Sequence, residues 1–342
     1  MRSIASLPLV WRALVAAGAI AFSGAVAAAS LDDLAKIAAG KGPVTWYESS
    51  PVEQIDKVVA AFHKTYPGIQ IKYVRLVGGN ELAVRGVQEM QARGYTADIL
   101  TGGADHIWTL HGRGYLENVD WKALGVPAKL TPTPYALATA ASVYVVSWNA
   151  NKVQDAETPR VWDDIADPKW TGRLGSWVRA SVFAQLASKW GEPRADALLE
   201  RFVKIKPMLF KSTFPLAQAV GSGEIDIGVG FYHSTLPPVL AGAPIKYKVL
   251  DVVPMHTIYS AMTKNARNPE GTMVLLAWLA SDAGAAAYEA ATHRGNPLIA
   301  TTKTAQLIAG RDIAEFPPDK SDELGRINQR MNAVLEAVGA AR

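Results

Sequence analysis

Cysteine is absent from the 342 residues of this chain. A disulfide framework, a thiolate metal site and a cysteine nucleophile are therefore excluded, and an apolar core must hold the fold together. The chain also lacks the H-E-x-x-H, G-x-S-x-G and G-x-x-x-x-G-K-[ST] motifs of zinc enzymes, serine hydrolases and phosphate-binding loops. An enzyme would have to rely on carboxylates such as Glu48, Asp98 and Asp105, which more often cap helices or face water. We expect no catalysis and no cofactor.

Charged residues are scarce at the start of the chain. Two arginines precede an apolar stretch at residues 13–29 that ends in small residues. A basic start, a short apolar core and a small-residue exit predict a secretory signal peptide over residues 1–27, with cleavage between Ala27 and Ala29. A membrane anchor is the alternative, but the stretch is at the short limit for a bilayer span and lacks a basic flank. We expect export to the periplasm, which a chain without disulfides also suits.

A strong charge of one sign is missing as well. The formal net charge is +4, and removal of the predicted signal peptide takes away two arginines and no acidic residue, which lowers the charge to +2. So small a charge on a chain of this size does not indicate nucleic-acid binding. With 49% hydrophobic residues, the chain can build a large core, and its length suffices for two lobes.

Apolar periodicity predicts alternating strands and helices. Residues 43–47, 69–74 and 97–100 read as strands, and residues 55–62 carry one apolar helix face. A strand–helix–strand order predicts parallel pairing in an α/β sheet.

Other segments give more detailed expectations. Ser50, with Glu53 three residues later, predicts a capping box at the start of the first of these helices. Residues 216–221 predict a short helix, and residues 247–253 a single strand. No repeat and no low-complexity linker divides the chain, so ordered crossings must join the lobes.

Several segments resemble bacterial periplasmic solute-binding proteins, in the order expected of that family. Three are similar to its first lobe: VTWYESS at 44–50, AFHKTYPGIQIKY at 61–73 and ADIL at 97–100. Two resemble more specifically its ferric-iron-type, or type II, branch: DPKWTGRLG at 167–175 and GSGEIDIGVGFY at 221–232. The stretch at 268–289 resembles the paired helices of the family. The resemblance covers nearly the whole chain after the predicted signal peptide.

The resemblance implies a two-lobed α/β fold of the type II periplasmic-binding-protein kind. Each lobe would contain a central mixed sheet flanked by helices, with the ligand in the cleft between the lobes. We assign residues 28–143 and 258–300 to the first lobe, and residues 144–257 and 301–342 to the second. A rigid-body rotation about the two crossings would close the cleft on the ligand.

The hinge crossings are expected near Tyr144–Trp148 and Pro254–Tyr259. The resemblance also implies partners, namely a small-molecule ligand and an ABC importer whose permease accepts the loaded protein and is coupled to an ATPase. We expect a monomer that binds no nucleic acid. A sensor that presents its closed form to a receptor is an alternative, because both roles use the same closure.

Iron is one candidate ligand. The ferric members of the branch hold the metal with oxygen-rich ligands that include two adjacent tyrosines, and at the matching position this chain has Phe231 and Tyr232. Phenylalanine has no oxygen with which to bind a metal, and the first-loop histidine of the branch is also replaced. Because Fe³⁺ prefers several anionic oxygens, we expect no metal site. Tyr232 would be a ligand only in the alternative of a ferric-iron or iron-chelate binding protein.

An organic carboxylate, phosphate or phosphonate is the favoured ligand. In sheets of this class the ligand meets the carboxyl ends of strands, where helix N-termini offer free N–H groups. Arg179 beside Ser181 adds a bidentate cation. The predicted ligand-binding residues are Ser49, Ser50, Gly102, Gly103, Trp177, Arg179, Ser181, Ser212, Thr213, Phe231, Tyr232 and His256. Each has a structural alternative: serines cap helices, glycines make turns, aromatic residues pack in cores, and lone histidines such as His233 and His256 are commonly structural.

Overall fold

Helices and strands alternate along the chain in the computed structural model, which describes residues 30–76 and 81–340. The predicted signal peptide lies outside the described residues. The helices are α1 Leu31–Ala39, α2 Val52–His63, α3 Glu81–Arg93, α4 Ala104–Gly112, α5 Ser181–Trp190, α6 Glu192–Lys204, α7 Thr213–Ser222, α8 Tyr232–Leu240, α9 Pro269–Leu279, α10 Asp282–Thr292, α11 Lys303–Ile308 and α12 Ser321–Ala340. The strands are β1 Val44–Glu48, β2 Ile71–Arg75, β3 Ile99–Gly103, β4 Leu137–Asn149, β5 Leu174–Trp177, β6 Met208–Phe210, β7 Ile227–Phe231, β8 Ile245–Lys248, β9 Val252–Met262 and β10 Asp312–Ala314.

Two long strands, β4 and β9, run through both lobes. The hydrogen-bonded order is β2-β1-β3-β9-β4-β7-β5-β6, with β8 added to β4 and β10 added to β9. In the first lobe β1 is parallel to β2 and β3, whereas β9 is antiparallel to β3. In the second lobe β5 is parallel to β6 and β7, and β4 is antiparallel to β7 and β8. Each lobe therefore has a mixed sheet, as the family resemblance implies.

Separate apolar clusters lie on the two sides of these crossings. The larger cluster of the first lobe surrounds Trp46 and Phe62, and the main cluster of the second lobe surrounds Trp162 and Phe202. All four rings are fully buried, and burial of an aromatic side chain stabilises a fold by about 1.5–3 kcal/mol. Each lobe thus has a core of its own, consistent with relative motion between the lobes.

The start of α2 differs from the sequence prediction. Pro51 is the N-cap and provides no side-chain hydrogen bond, so the predicted capping box of Ser50 does not form. The Ser50 hydroxyl instead donates to the Glu48 carboxylate, with an Oγ–Oε1 distance of 3.0 Å. The Ser50 hydroxyl bonds to Glu48 rather than to the helix N-terminus because a buried carboxylate is costly unless it accepts hydrogen bonds.

Two further predictions of where a helix or a strand begins and ends were also wrong. The helix expected at residues 216–221 begins at Thr213, where Ser212 is the N-cap. The single strand expected at residues 247–253 is divided between β8 and β9, and Pro254 lies inside β9. Pro254 is tolerated there because it pairs only at the end of the short β10, before β9 joins β4 at Met255. Across residues 30–76 and 81–340, no helix has the length and apolarity needed to cross a bilayer.

Candidate ligand-binding cleft

A cavity of about 590 Å³ lies between the two lobes. It opens where β1, β3, β5 and β7 end, so that the residues following strands of both lobes meet around one space. The polar residues that line it are Glu48, Ser49, Arg75, Glu81, Thr101, Asp105, His106, Ser142, Arg179, Ser181, Gln185, Lys211, Ser212, Thr213, His233, His256, Thr257, Arg294, Glu315, Asn328 and Asn332. This size and mixture of groups suit a small organic molecule.

Helix N-termini reach the cavity from both lobes. The first residues of α4, α5 and α7 are Ala104, Ser181 and Thr213, and all three line the cavity. Their free N–H groups and the positive ends of the helix dipoles favour an anion there. The Ser212 hydroxyl already accepts a hydrogen bond from the Phe214 amide at 3.4 Å, so that serine caps α7 as well as lining the cavity.

The two glycines at the end of β3 lie close to the ends of neighbouring side chains. A Cβ atom on Gly102 would lie 2.5 Å from Leu82 Cδ2, and one on Gly103 would lie 2.8 Å from Asp105 Oδ1. A larger residue at either position would require the end of the Leu82 or the Asp105 side chain to move. Gly102 and Gly103 therefore allow close approach of neighbouring protein groups, whereas the tight turn considered from the sequence is absent because both residues remain in β3.

Like Lys211, Arg179 is a cation on the cavity lining without an ion pair or a hydrogen bond to the described residues. Its Cζ atom lies 5.7 Å from the centre of the Trp177 ring, and its guanidinium makes no ion pair or hydrogen bond with the part of the chain that the structure describes. Ser181, two residues later, is instead engaged by the Tyr144 hydroxyl at 2.9 Å. The five N–H donors of Arg179 are consequently free for a ligand.

A second arginine lies on the cavity wall within a buried network. Arg294 Nη1 donates to Glu48 Oε1 at 3.1 Å, and Arg294 Nη2 lies 2.9 Å from His233 Nε2. Glu48 also accepts hydrogen bonds from Ser50, Tyr73 and Tyr288. These bonds compensate the desolvation of the carboxylate and hold the guanidinium in one orientation.

The buried His233 and the partly buried His256 of the cavity are held neutral. Burial, together with the Arg294 guanidinium, holds the pKa of His233 well below its ordinary value. Burial lowers the pKa of His256 to about 4. Arginine can only donate hydrogen bonds, so His233 Nε2 must accept from Arg294, and the ring proton of neutral His233 must lie on Nδ1. His233 therefore presents a donor at Nδ1.

Glu315 behaves oppositely, since burial raises its pKa to about 7. Its carboxyl group lies on the cavity wall and accepts hydrogen bonds from the amide and the hydroxyl of Thr257. These bonds favour the charged form but do not offset the desolvation. The folded protein therefore retains a proton on Glu315 at a pH where the unfolded chain has lost it.

Replacing Glu315 with glutamine should change the pH dependence of stability. Between the unfolded pKa of about 4.5 and the folded pKa of about 7, the folded wild type binds more protons and loses stability as pH rises. The E315Q variant lacks this loss, so its stability relative to wild type should increase with pH by up to about 1.4 kcal/mol per pH unit in that window. Urea unfolding at several pH values measures this difference.

The exposed Glu200, on α6, provides the matched control for that experiment. Glu200→Gln should show a stability difference from wild type that does not vary with pH. If the stability difference between Glu315→Gln and wild type is also independent of pH, Glu315 is already ionised in the folded protein at low pH.

Most of the residues predicted from the sequence meet at the cavity. Those that line it are Ser49, Gly102, Gly103, Trp177, Arg179, Ser181, Ser212, Thr213, Phe231 and His256. Ser50 lies behind the wall, bonded to Glu48. Tyr232 points away from the cavity and packs on Tyr247, with ring centres 5.5 Å apart, and burial raises its pKa to about 12.

Sequence reasoning missed Arg294 and Glu315 and gave His233 a structural role. Arg294 follows α10 in a loop without any local motif, and its place at the cavity depends on Glu48, far away in the chain. Glu315 carries a weak signal, because it is a charged residue between the buried Ala314 and Phe316. Within residues 30–76 and 81–340, no group of three or more histidine, aspartate or glutamate side chains is arranged to hold a metal ion.

Comparison with known proteins identifies relatives of this chain. A family model described as bacterial extracellular solute-binding protein matches residues 57–315. An uncharacterized protein of Haemophilus influenzae is 28% identical over 178 residues, which cover 48% of each sequence. The match thus spans about half the length of that curated relative.

Solved structures share the fold at low sequence identity. Iron-bound HitA from Pseudomonas aeruginosa superposes with a TM-score of 0.69 and 19% identity, covering 84% of this chain and 99% of that one. The periplasmic binding protein AfuA from Actinobacillus pleuropneumoniae, with fructose-6-phosphate bound, gives a TM-score of 0.71 and 18% identity, covering 86% and 99%. These likenesses confirm the two-lobed type II fold.

Proposed function

Because the chain belongs to the bacterial extracellular solute-binding protein family, we propose that it captures a small organic anion and delivers it to the permease of an ABC importer. The ligand is a carboxylate, phosphate ester or phosphonate, and the protein acts as a periplasmic monomer without catalysing a reaction. The observation that carries this proposal is Arg179, whose guanidinium is free in a cavity also lined by the first residues of three helices. An anion would satisfy both kinds of donor at once.

The hinge is part of the same proposal. The expected crossings, Tyr144–Trp148 and Pro254–Tyr259, lie within β4 and β9. We assign residues 28–143 and 258–300 to one lobe and the remainder of the mature chain to the other. A ligand that contacts both lobes stabilises the closed form by its additional affinity for that form.

Iron is the competing ligand, because HitA was solved with iron whereas AfuA was solved with a sugar phosphate. Tyr232, the one tyrosine retained at the position of the ferric pair, packs away from the cavity on Tyr247. Phe231, which does line the cavity, has no oxygen to offer. The donor set therefore favours the organic anion over Fe³⁺.

A thermal-shift panel on the mature, ligand-stripped protein tests the proposal. The panel contains mono- and dicarboxylates, phosphate esters, phosphonates and ferric citrate. An anion present at about a hundred times its Kd should stabilise the protein by about 2.7 kcal/mol, which is a visible shift in Tm. Stabilisation by ferric citrate alone, with a tyrosinate-to-iron absorption band, would contradict the organic-anion proposal.

Replacing Arg179 with alanine should weaken the anion identified in this way by about 10- to 100-fold, because a charge-assisted bidentate contact is lost. Titration calorimetry gives the Kd of each variant. Arg160, an exposed arginine of the same lobe outside the cavity, provides the control, and Arg160→Ala should retain wild-type affinity. Equal Kd values for Arg179→Ala and Arg160→Ala would show that Arg179 does not contact the anion.

A further inference from the structure

A continuous aromatic wall lies along the second-lobe side of the cavity. Trp177 and Phe231 meet edge to face with ring centres 5.5 Å apart, and Phe231 stacks on His233 at 5.2 Å. All three rings line the cavity. An apolar or ring-shaped molecular body is the natural neighbour for such a surface.

Each end of the aromatic wall carries a guanidinium. At the Trp177 end, Arg179 Cζ lies 5.7 Å from the centre of the Trp177 ring. At the His233 end, Arg294 Nη2 lies 2.9 Å from His233 Nε2. The two cations come from different lobes, because Arg179 follows β5 whereas Arg294 follows α10. A ligand lying along the wall would meet one cation at each end.

Unused hydrogen-bond donors remain at the Arg294 end. Arg294 Nε and His233 Nδ1 are buried atoms without a hydrogen-bond partner in the described structure. Both are donors, the first because arginine has no acceptor and the second because Nε2 accepts from Arg294. Arg294 is 8% exposed and His233 is 4% exposed, so bulk water does not readily replace the missing partner. Unpaired buried donors cost free energy until an acceptor arrives.

Three carboxyl groups of the cavity, in contrast, already accept hydrogen bonds. Glu48 is paired with Arg294, and Glu315 accepts from Thr257. Asp105 Oδ1 accepts from the His106 amide at 3.0 Å. The cavity therefore offers donors at both ends of the wall, and among the described residues that line it the carboxylate and amide acceptors without a partner are Asn328 Oδ1 and the exposed Glu81 carboxylate.

We propose that the ligand is a two-ended organic anion, with an oxyanion at Arg179 and a second oxyanion at Arg294 and His233, and with its carbon body against the Trp177–Phe231–His233 wall. This inference rests on the proposed binding function and narrows its substrate class. Dicarboxylates and phosphorylated acids have the required chemistry. A monocarboxylate would leave the donors at one end of the wall without an acceptor. An ω-amino acid would place its ammonium group, which is also a donor, against the donors at one end.

Titration calorimetry with four probes tests the substrate class: glutarate, 3-phosphoglycerate, butyrate and 4-aminobutyrate. At least one of the two-ended anions should bind at least about tenfold more tightly than butyrate and 4-aminobutyrate, since one additional charge-assisted contact is made. The proposal is overturned if butyrate or 4-aminobutyrate binds equally well or better, or if neither two-ended anion binds at millimolar concentration. In those cases a monoanion that stabilises the protein in the thermal-shift panel would still support the proposed function. If no anion in that panel binds, both the two-ended ligand and the proposed function are contradicted.

Two variants assign the two ends. Arg179→Gln removes the cation at one end, and His233→Met removes the Nδ1 donor at the other while its thioether sulfur remains a weak acceptor for Arg294. Each should weaken the bound two-ended probe by about tenfold or more and leave butyrate bound no more than a few-fold more weakly, because one end remains. The exposed Arg160→Gln should change neither. Unchanged affinity in His233→Met, with an unchanged circular dichroism spectrum, would overturn the second oxyanion contact.

Discussion

Replacing Glu48 with alanine is expected to lower the free energy of unfolding by about 3–5 kcal/mol. The Glu48 side chain is 1% exposed and accepts hydrogen bonds from Ser50, Tyr73, Tyr288 and Arg294. Without the carboxylate, Arg294 would be a buried cation lacking its counter-ion, and two tyrosine hydroxyls would lose an acceptor. Urea unfolding followed by circular dichroism measures the change.

Glu200→Ala is the matched control, since that residue is exposed on α6 and should alter stability by no more than about 0.5 kcal/mol. A second control replaces both partners, Glu48→Gln with Arg294→Met, which removes the buried charges together and should recover much of the loss. If Glu48→Ala unfolds at the wild-type urea concentration, the network contributes no net stability and its role is confined to placing Arg294.

The second large effect is expected for Gly284→Ala in the first turn of α10. A Cβ atom at this position would lie 1.9 Å from the carbonyl oxygen of Trp278, at the end of α9. Because the obstacle is backbone, no side-chain rotation can relieve the overlap, and the two helices must separate. We expect a loss of about 3 kcal/mol or more in the free energy of unfolding, at the upper end of the range for overpacked sites.

Gly112 provides the opposite case on α4. Nothing lies within 4 Å of a Cβ atom built there, so Gly112→Ala should stabilise the protein by about 0.5–1 kcal/mol through reduced chain entropy. Thermal unfolding of the two glycine variants side by side separates the steric effect from the general preference of helices for alanine. Similar Tm values for both would show that α9 and α10 can move apart at little cost.

The alternation of strands and helices could be predicted from the sequence, but several boundaries could not. Periodicity locates α2 because Ile55, Val58 and Phe62 are all buried on one face. The start of the same helix was mistaken because Ser50 has two possible partners, the helix N-terminus and the Glu48 carboxylate. Only the folded structure, in which Glu48 is buried, decides between them.

The candidate site was predictable where it follows the ends of strands. Phe231 and Trp177 could be placed because each is the last residue of a strand, and Arg179 follows closely. Arg294 could not, since its position depends on a contact with Glu48, which is 246 residues away in the chain. Tyr232 shows the remaining difficulty: adjacent residues point to opposite sides, and the sequence does not reveal which of two aromatic side chains faces the cavity.

The pairing of β3 with β9 sets the order in which the chain can fold. Ile99 lies opposite Met262, so the sheet of the first lobe cannot be completed until residues 144–257 of the second lobe have been synthesised. The strands of the second lobe, β5, β6 and β7, are close neighbours in sequence and can assemble without waiting for the rest of the chain. Such distant pairing slows folding. The lobe that comes first in the sequence should therefore be the last to become protected from hydrogen exchange during refolding.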